Sequence, residues 1–144
     1  PEMSEPEVAQ TLHDAILNDE ADVYIVNFAN CDMVGHTGII PAAIKAVEAV
    51  DSGVDLVLRA LKEKGGVALL TADHGNADCM LAEDGTPLTA HTTAEVPLVL
   101  IDGGNRDYAL KNEKGALSNI APTLLEMIGI DVPFEMTAAS LLVK

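Results

Sequence analysis

The chain has 144 residues and a formal net charge of −15, and only 3% of its residues are aromatic. This length fits one domain with an aliphatic core. The acid excess argues against nucleic acid as a partner, because a phosphate backbone needs a basic surface. No apolar run reaches the roughly 18–20 residues of a membrane span, and we do not expect the first residues to be a leader, because they lack its basic, apolar and small-residue pattern. Two cysteines without CxxC spacing are expected to be free thiols, so we expect a cytoplasmic protein. Because no long apolar run is present, we expect no membrane contact.

The first predicted elements are a helix and a strand. Helical spacing of apolar residues begins after the SEPE segment at residues 4–7 and continues to about residue 18. Residues 22–29, DVYIVNFA, are rich in β-branched and aromatic residues, which is typical of a strand buried on both faces of a parallel sheet. A polar, Gly-containing loop is predicted for residues 30–38.

A long amphipathic helix and a second strand follow. The helix is predicted from Ile40 to the Gly65–Gly66 pair, with an inward-facing stripe of large aliphatic residues. That stripe consists of Ile40, Ile44, Val47, Val54, Leu58 and Leu61. Residues 67–71 predict a buried strand, residues 72–78 a polar loop, and residues 79–90 a small hairpin.

The last part of the chain predicts a third strand at residues 96–101 and a polar loop at 105–117. A final helix should begin at Ser118 and end at Gly129, before an irregular tail from 131 to 144. Alternating helices and buried strands predict an α/β fold, with a largely parallel sheet flanked by helices and one domain over residues 1–144.

Five residues with metal-ligand chemistry lie at or near the strand ends. Asp32 and His36 follow the first strand, Asp73 and His74 follow the second, and His91 precedes the third. Ligands of open α/β sheets bind beyond the carboxyl ends of the strands, so we expect these five residues to converge. Each alone would more often be a cap or a hydrogen-bonded turn, but their joint placement favours a metal site.

The kind of ligand indicates the kind of metal. Carboxylates mixed with imidazoles suit a divalent ion such as Mn²⁺ or Zn²⁺, and the lack of thiolates disfavours a structural zinc finger. Five ligands are more than one tetrahedral ion uses. They fit two ions with open positions, which is the arrangement for in-line phosphoryl transfer.

Three motifs carry a resemblance to a known family. NFANCDMVGHTG at residues 27–38, TADHGNAD at 71–78 and AHT at 90–92 resemble cofactor-independent (2,3-bisphosphoglycerate-independent) phosphoglycerate mutases of the alkaline phosphatase superfamily. PEMS at residues 1–4 and SNIAPT at 118–123 extend the resemblance over the whole chain. It implies an incomplete alkaline-phosphatase-like fold, in which residues 1–144 are the C-terminal portion of the metal-binding phosphatase domain.

The resemblance also divides the metal ligands between two ions. It implies that Asp32, His36 and His91 hold one Mn²⁺, while Asp73 and His74 hold the other, with Zn²⁺ or Co²⁺ as possible substitutes. The family's nucleophilic Ser and a further Asp ligand are expected upstream of Pro1, together with the inserted domain that binds substrate. We therefore assign no catalytic nucleophile to this chain, and neither of its arginines stands in a recognisable substrate motif.

The implied reaction interconverts 3-phosphoglycerate and 2-phosphoglycerate, in glycolysis and gluconeogenesis, through a phosphoserine intermediate. We expect the isolated chain to be inactive because it lacks the nucleophile. The alternatives are a phosphopentomutase or another metal-dependent phosphatase of the superfamily, and a metal-binding fragment without catalysis. A sheet edge left exposed by the missing segment could allow the fragment to self-associate.

Overall fold

The structure is a computed structural model that describes residues 1–143. Its helices are α1 (Glu5–Leu17), α2 (Asn30–Gly35), α3 (Ile40–Glu63) and α4 (Ile120–Met127), and a short 3-10 turn (Leu117–Asn119) leads into α4. Its strands are β1 (Val67–Thr71), β2 (Leu98–Asp102), β3 (Ala109–Leu110) and β4 (Leu142–Val143). Helices and strands thus coexist as the α/β prediction requires. No helix in residues 1–143 is both long and apolar enough to cross a membrane.

The strands pair differently from the prediction. β1 pairs with β2 in antiparallel fashion, with Thr71 opposite Leu98 and Val67 opposite Asp102. β3 and β4 also pair antiparallel. The prediction of a largely parallel sheet is therefore wrong for the strand pairs in residues 1–143. The chain leaves β1 and re-enters β2 at the same end, because the intervening loop returns without crossing the sheet.

The predicted first strand does not form. Residues 22–28 have no strand assignment, and the Ile25 side chain is 90% exposed. A strand needs a neighbour that supplies backbone donors and acceptors, and this segment pairs with no strand in residues 1–143. The segment is anchored instead by Tyr24, whose hydroxyl donates to the Ala15 carbonyl at 2.9 Å.

The long helix buries a different face from the predicted one. The residues of α3 that are buried are small: Ala43, Ala46, Gly53 and Ala60. Ile44 and Val47, which were assigned to the core stripe, are about half exposed. Small residues occupy the buried face because α1 packs closely against α3. A side chain at Gly53 would collide with Glu5 and Ala9.

Two other segments contain more regular structure than the sequence indicated. The predicted loop at residues 30–38 begins with the six-residue helix α2. The polar loop at 105–117 and the irregular tail each contribute one short strand, β3 and β4. The predicted hairpin at residues 79–90 is present as a single antiparallel bridge between Leu81 and Pro87, with Gly85 in the left-handed region at φ 82°.

Glu5 is an unusual member of the interface between α1 and α3. Glu5 is only 4% exposed, and its Oε1 atom is buried with no hydrogen-bond partner among residues 1–143. Burial, and then the nearby negative charge of Glu7, raise the pKa of this carboxyl above its ordinary value of 4.5. The folded chain therefore disfavours the charged form of Glu5.

Replacing Glu5 by Gln should stabilise the chain at neutral pH by about 1 kcal/mol, since a buried charge without a partner is removed. A carboxyl whose pKa is raised by folding destabilises the fold as pH increases from its unfolded pKa through its higher folded pKa. The gain should consequently vanish below about pH 4. Chemical unfolding of both chains across pH measures this. Glu20→Gln, at an exposed position, is the control, and equal gains in the two variants would contradict the prediction.

Candidate metal centre

The antiparallel pair brings two ligand-bearing segments to one end of the sheet. Asp73 and His74 follow the end of β1, and His91 lies upstream of the start of β2. The pairing continues beyond the strands through an isolated bridge, in which the Thr92 amide donates to the Gly75 carbonyl at 2.8 Å. In a parallel pair the segment before β2 would lie at the opposite end, so the antiparallel pairing is what makes the predicted convergence possible.

The third ligand-bearing segment is α2. Asp32 lies within this helix and His36 is its C-cap residue, so the two residues are one helical turn apart. Their side chains face each other, with His36 Nε2 at 3.2 Å from Asp32 Oδ1. α2 in turn packs against α3, so the segment that carries both side chains is part of the packed structure.

Three of the predicted ligands converge on a carboxylate oxygen of a fourth, Asp32. Asp32 Oδ1 lies 3.2 Å from His91 Nε2 and 3.9 Å from His74 Nε2, in addition to its contact with His36. His36 Nε2 and His91 Nε2 are 3.2 Å apart, and the rings of His74 and His91 stack with their centroids 3.7 Å apart. Potential ligand atoms of Asp32, His74 and His91 all lie within 4.8 Å of one another.

The hydrogen bonds of the rings indicate what this cluster can hold. His36 Nδ1 lies 2.5 Å from the Thr89 carbonyl, which can only accept, so Nδ1 must carry the hydrogen. In the neutral ring, Nε2 then directs a lone pair at Asp32. His36 Nε2 and His91 Nε2 both face the same Asp32 oxygen at 3.2 Å. A divalent cation would satisfy several of these donor atoms at once, so the residues fit a metal ion.

The electrostatics of Asp32 point the same way. Burial alone would raise the pKa of its carboxyl, but the hydrogen bond from Asn76 and the neighbouring His36, His91 and His74 outweigh burial and lower the pKa. The carboxylate therefore remains ionised over a wide pH range. An ionised carboxylate surrounded by imidazole nitrogens is a donor set suited to divalent ions.

The remaining candidates are less central. Asp73 is at the edge of the cluster: its side chain is 76% exposed, and its Oδ1 lies 3.8 Å from His74 Nε2. The remaining histidine, His13, lies in α1, where its Nδ1 is 2.9 Å from Asp14 Oδ1. The division of the ligands into sets of three and two is not visible as two separate clusters and stays a prediction.

Neither arginine belongs to the cluster. Arg59 pairs with Asp55 on the surface of α3. Arg106 pairs with Asp102, which lies at the end of β2 opposite to the ligands. Both cysteines are free thiols, as expected.

Sequence reasoning missed the residues that hold the ligands in place. The Asn76 amide donates to Asp32 Oδ1 at 2.8 Å. The Thr92 hydroxyl lies 3.0 Å from both carboxylate oxygens of Asp78, and Thr92 directly follows His91. Asn76 and Asp78 are part of the TADHGNAD motif, so their position beside two ligands was the available signal.

Comparisons with known proteins agree with the family resemblance of the sequence motifs. The metalloenzyme superfamily matches residues 1–132. The 2,3-bisphosphoglycerate-independent phosphoglycerate mutase of Chloroflexus aggregans is 52% identical over 147 residues, and that of Pseudomonas fluorescens 49% over 144. The second such mutase of Methanosarcina barkeri is 52% identical over 145 residues. These matches take in 99% or 100% of this chain, which spans only 27% or 28% of the length of the relatives.

A solved structure is also similar. Leishmania mexicana phosphoglycerate mutase, crystallised at low cobalt concentration, superposes with a TM-score of 0.90 at 31% sequence identity. The match covers 99% of this chain and 29% of that one. The fold is thus the incomplete alkaline-phosphatase-like one that the motifs implied. Since the family match covers most of the sequence, the chain belongs to the metalloenzyme superfamily.

Proposed function

We propose that this chain is part of a cofactor-independent phosphoglycerate mutase and supplies most of its two-metal centre. The observation that carries the proposal is the convergence of three imidazole Nε2 atoms on Asp32 Oδ1. That convergence occurs in a chain about half identical to such mutases along its whole length. The proposed reaction is the interconversion of 3-phosphoglycerate and 2-phosphoglycerate by the intact protein.

The proposed ligands are Asp32, His36 and His91 for one ion and Asp73 and His74 for the other. Membership of a metalloenzyme superfamily supports metal dependence, and Mn²⁺ is our specific proposal. When bound, divalent ions would polarise the phosphoryl group and screen its charge. The stacking of the His74 and His91 rings, one from each proposed set, supports two ions that act on one phosphoryl group.

The chain's own residues would bind and orient in this scheme. His36 keeps its Nδ1 hydrogen on the Thr89 carbonyl, which leaves Nε2 free as a ligand. The chain offers little to recognise an anionic substrate, because its net charge is −15 and both arginines are paired with carboxylates. We therefore propose that the nucleophilic Ser and the substrate-binding arginines belong to other segments of the intact protein.

Two assays test this function. The intact protein should convert 3-phosphoglycerate to 2-phosphoglycerate after loading with Mn²⁺, and should turn over ribose phosphate far more slowly. Preference for ribose phosphate would favour the phosphopentomutase alternative instead. The isolated 144-residue chain should show no mutase turnover under the same conditions. Turnover by the isolated chain would mean that the nucleophile lies within it.

Two further expectations remain part of the proposal. A cytoplasmic location suits an enzyme of phosphoglycerate metabolism. Self-association of the isolated chain is proposed because segment 22–28 leaves Ile25 exposed and has no strand partner among residues 1–143.

A further inference from the structure

Asn76 contacts the cluster that is formed by Asp32, His36, His74 and His91. It lies in the loop after β1 and is only 5% exposed. Its Nδ2 atom donates to Asp32 Oδ1 at 2.8 Å and lies 3.4 Å from the Asp32 backbone carbonyl. The amide thus contacts both the side chain and the backbone of one residue, which belongs to a different segment of the chain.

This arrangement has an energetic cost. Asn76 Oδ1 is buried and has no hydrogen-bond partner in residues 1–143. It packs against Gly35, where an added Cβ would lie 2.3 Å from it. An unpartnered buried amide oxygen costs about 1–3 kcal/mol, so the fold tolerates an unfavourable group at this position. A residue chosen only for packing would be apolar here.

The position of Asp32 explains what the amide contributes. Asp32 lies on a helix of only six residues, and so short a helix is stabilised only weakly by its own backbone hydrogen bonds. The same oxygen that Asn76 contacts faces the Nε2 atoms of His36 and His91. Without an anchor, the carboxylate could rotate about its side-chain torsions away from the three imidazoles.

We infer that Asn76 is a positioning residue, which holds the Asp32 carboxylate in the orientation that receives a divalent ion. This inference rests on the proposed metal centre and adds a residue that orients one of its ligands. Asn76 itself has no role as a ligand in it. Outer hydrogen-bond partners of metal ligands typically contribute 10- to 100-fold in metal affinity.

The test is a cobalt titration of the chain, followed by calorimetry and by visible absorption, which reports the coordination geometry. Asn76→Ala should weaken Co²⁺ binding about 10- to 100-fold and alter the absorption bands. Asn119→Ala is the matched control. The Asn119 side chain also makes two hydrogen bonds, to Ala139 and Ala116, but none to a proposed ligand. Its affinity and spectrum should equal those of the unaltered chain.

A metal-free measurement keeps the two ideas separate. In the nuclear magnetic resonance spectrum, the side-chain amide signals of Asn76 should move when Asp32 is replaced by Asn, while those of Asn119 should not. If the unaltered chain binds Co²⁺ and Asn76→Ala binds it equally with the same spectrum, the inference is wrong and the metal centre stands. If the unaltered chain binds no Co²⁺, the metal centre is wrong. If the Asn76 amide signals do not change in the Asp32→Asn chain, the contact between these two side chains is refuted as well.

Discussion

An Asp32→Asn chain should lose at least about 100-fold in affinity for Mn²⁺ or Co²⁺, more than the loss of an outer hydrogen-bond partner causes. The substitution preserves size but removes the negative charge on which three imidazole nitrogens converge. It also brings the new side-chain amide into contact with that of Asn76, because Asn76 donates to the altered Asp32 side chain. Isothermal titration of both chains with either metal measures the loss.

The chain provides a matched control for this experiment. Asp14 in α1 also bonds to a histidine, with its Oδ1 2.9 Å from His13 Nδ1. In residues 1–143, His13 is the only histidine paired with Asp14, whereas Asp32 Oδ1 faces three imidazoles. Asp14→Asn should therefore leave metal affinity unchanged. Equal losses in the two variants would show that metal binds to the acidic surface in general and would contradict the proposed site.

A Gly75→Ala chain should lose both stability and metal affinity. An added Cβ would lie 2.1 Å from the Thr92 hydroxyl oxygen and 2.5 Å from Asp78 Oδ1. The contact between Asp78 and Thr92 must then open. Thr92 directly follows His91, and Gly75 directly follows His74. We expect a cost of about 1–3 kcal/mol in the free energy of unfolding, as for other overpacked positions. A loss of about 10-fold or more in metal affinity should accompany it.

Gly85→Ala separates this effect from backbone strain. Gly85 has φ 82° in a turn, and an added Cβ would meet nothing within 4 Å. The variant should cost about 1 kcal/mol through its left-handed backbone alone and should bind metal normally. Denaturant unfolding and metal titration on the same samples provide both numbers. Normal metal affinity in Gly75→Ala would show that the spacing of His74 and His91 does not depend on this contact.

The convergence of the candidate ligands was more predictable from sequence than the sheet was. Asp32, His36, Asp73, His74 and His91 were picked out by their chemistry and their position near strand ends, and the structure brings four of them together. The assumed geometry was nevertheless partly wrong. His91 reaches the cluster only because β2 runs antiparallel to β1, and side-chain patterns carry no information about strand direction.

The other differences have physical causes of the same kind. Residues 22–28 have the side chains of a buried strand, but a strand also requires a backbone partner, which sequence patterns cannot supply. In α3 the size of the aliphatic residues suggested the core face, whereas close approach of α1 selected Gly53 and the alanines. Asn76 went unassigned because a buried amide is recognisable only once its partner's location is known.

The bridge between Gly75 and Thr92 has a consequence for the segment between them. The bridge joins the two ends of the segment from residue 75 to 92, and the exposed turn at Gly85 forms the tip of that segment. Lengthening that tip would add only about 0.6 kcal/mol of closure entropy for each doubling of loop length. The spacing of His74 and His91 should therefore depend little on the length of the tip. Insertions there could diversify the surface around the site while leaving its chemistry intact.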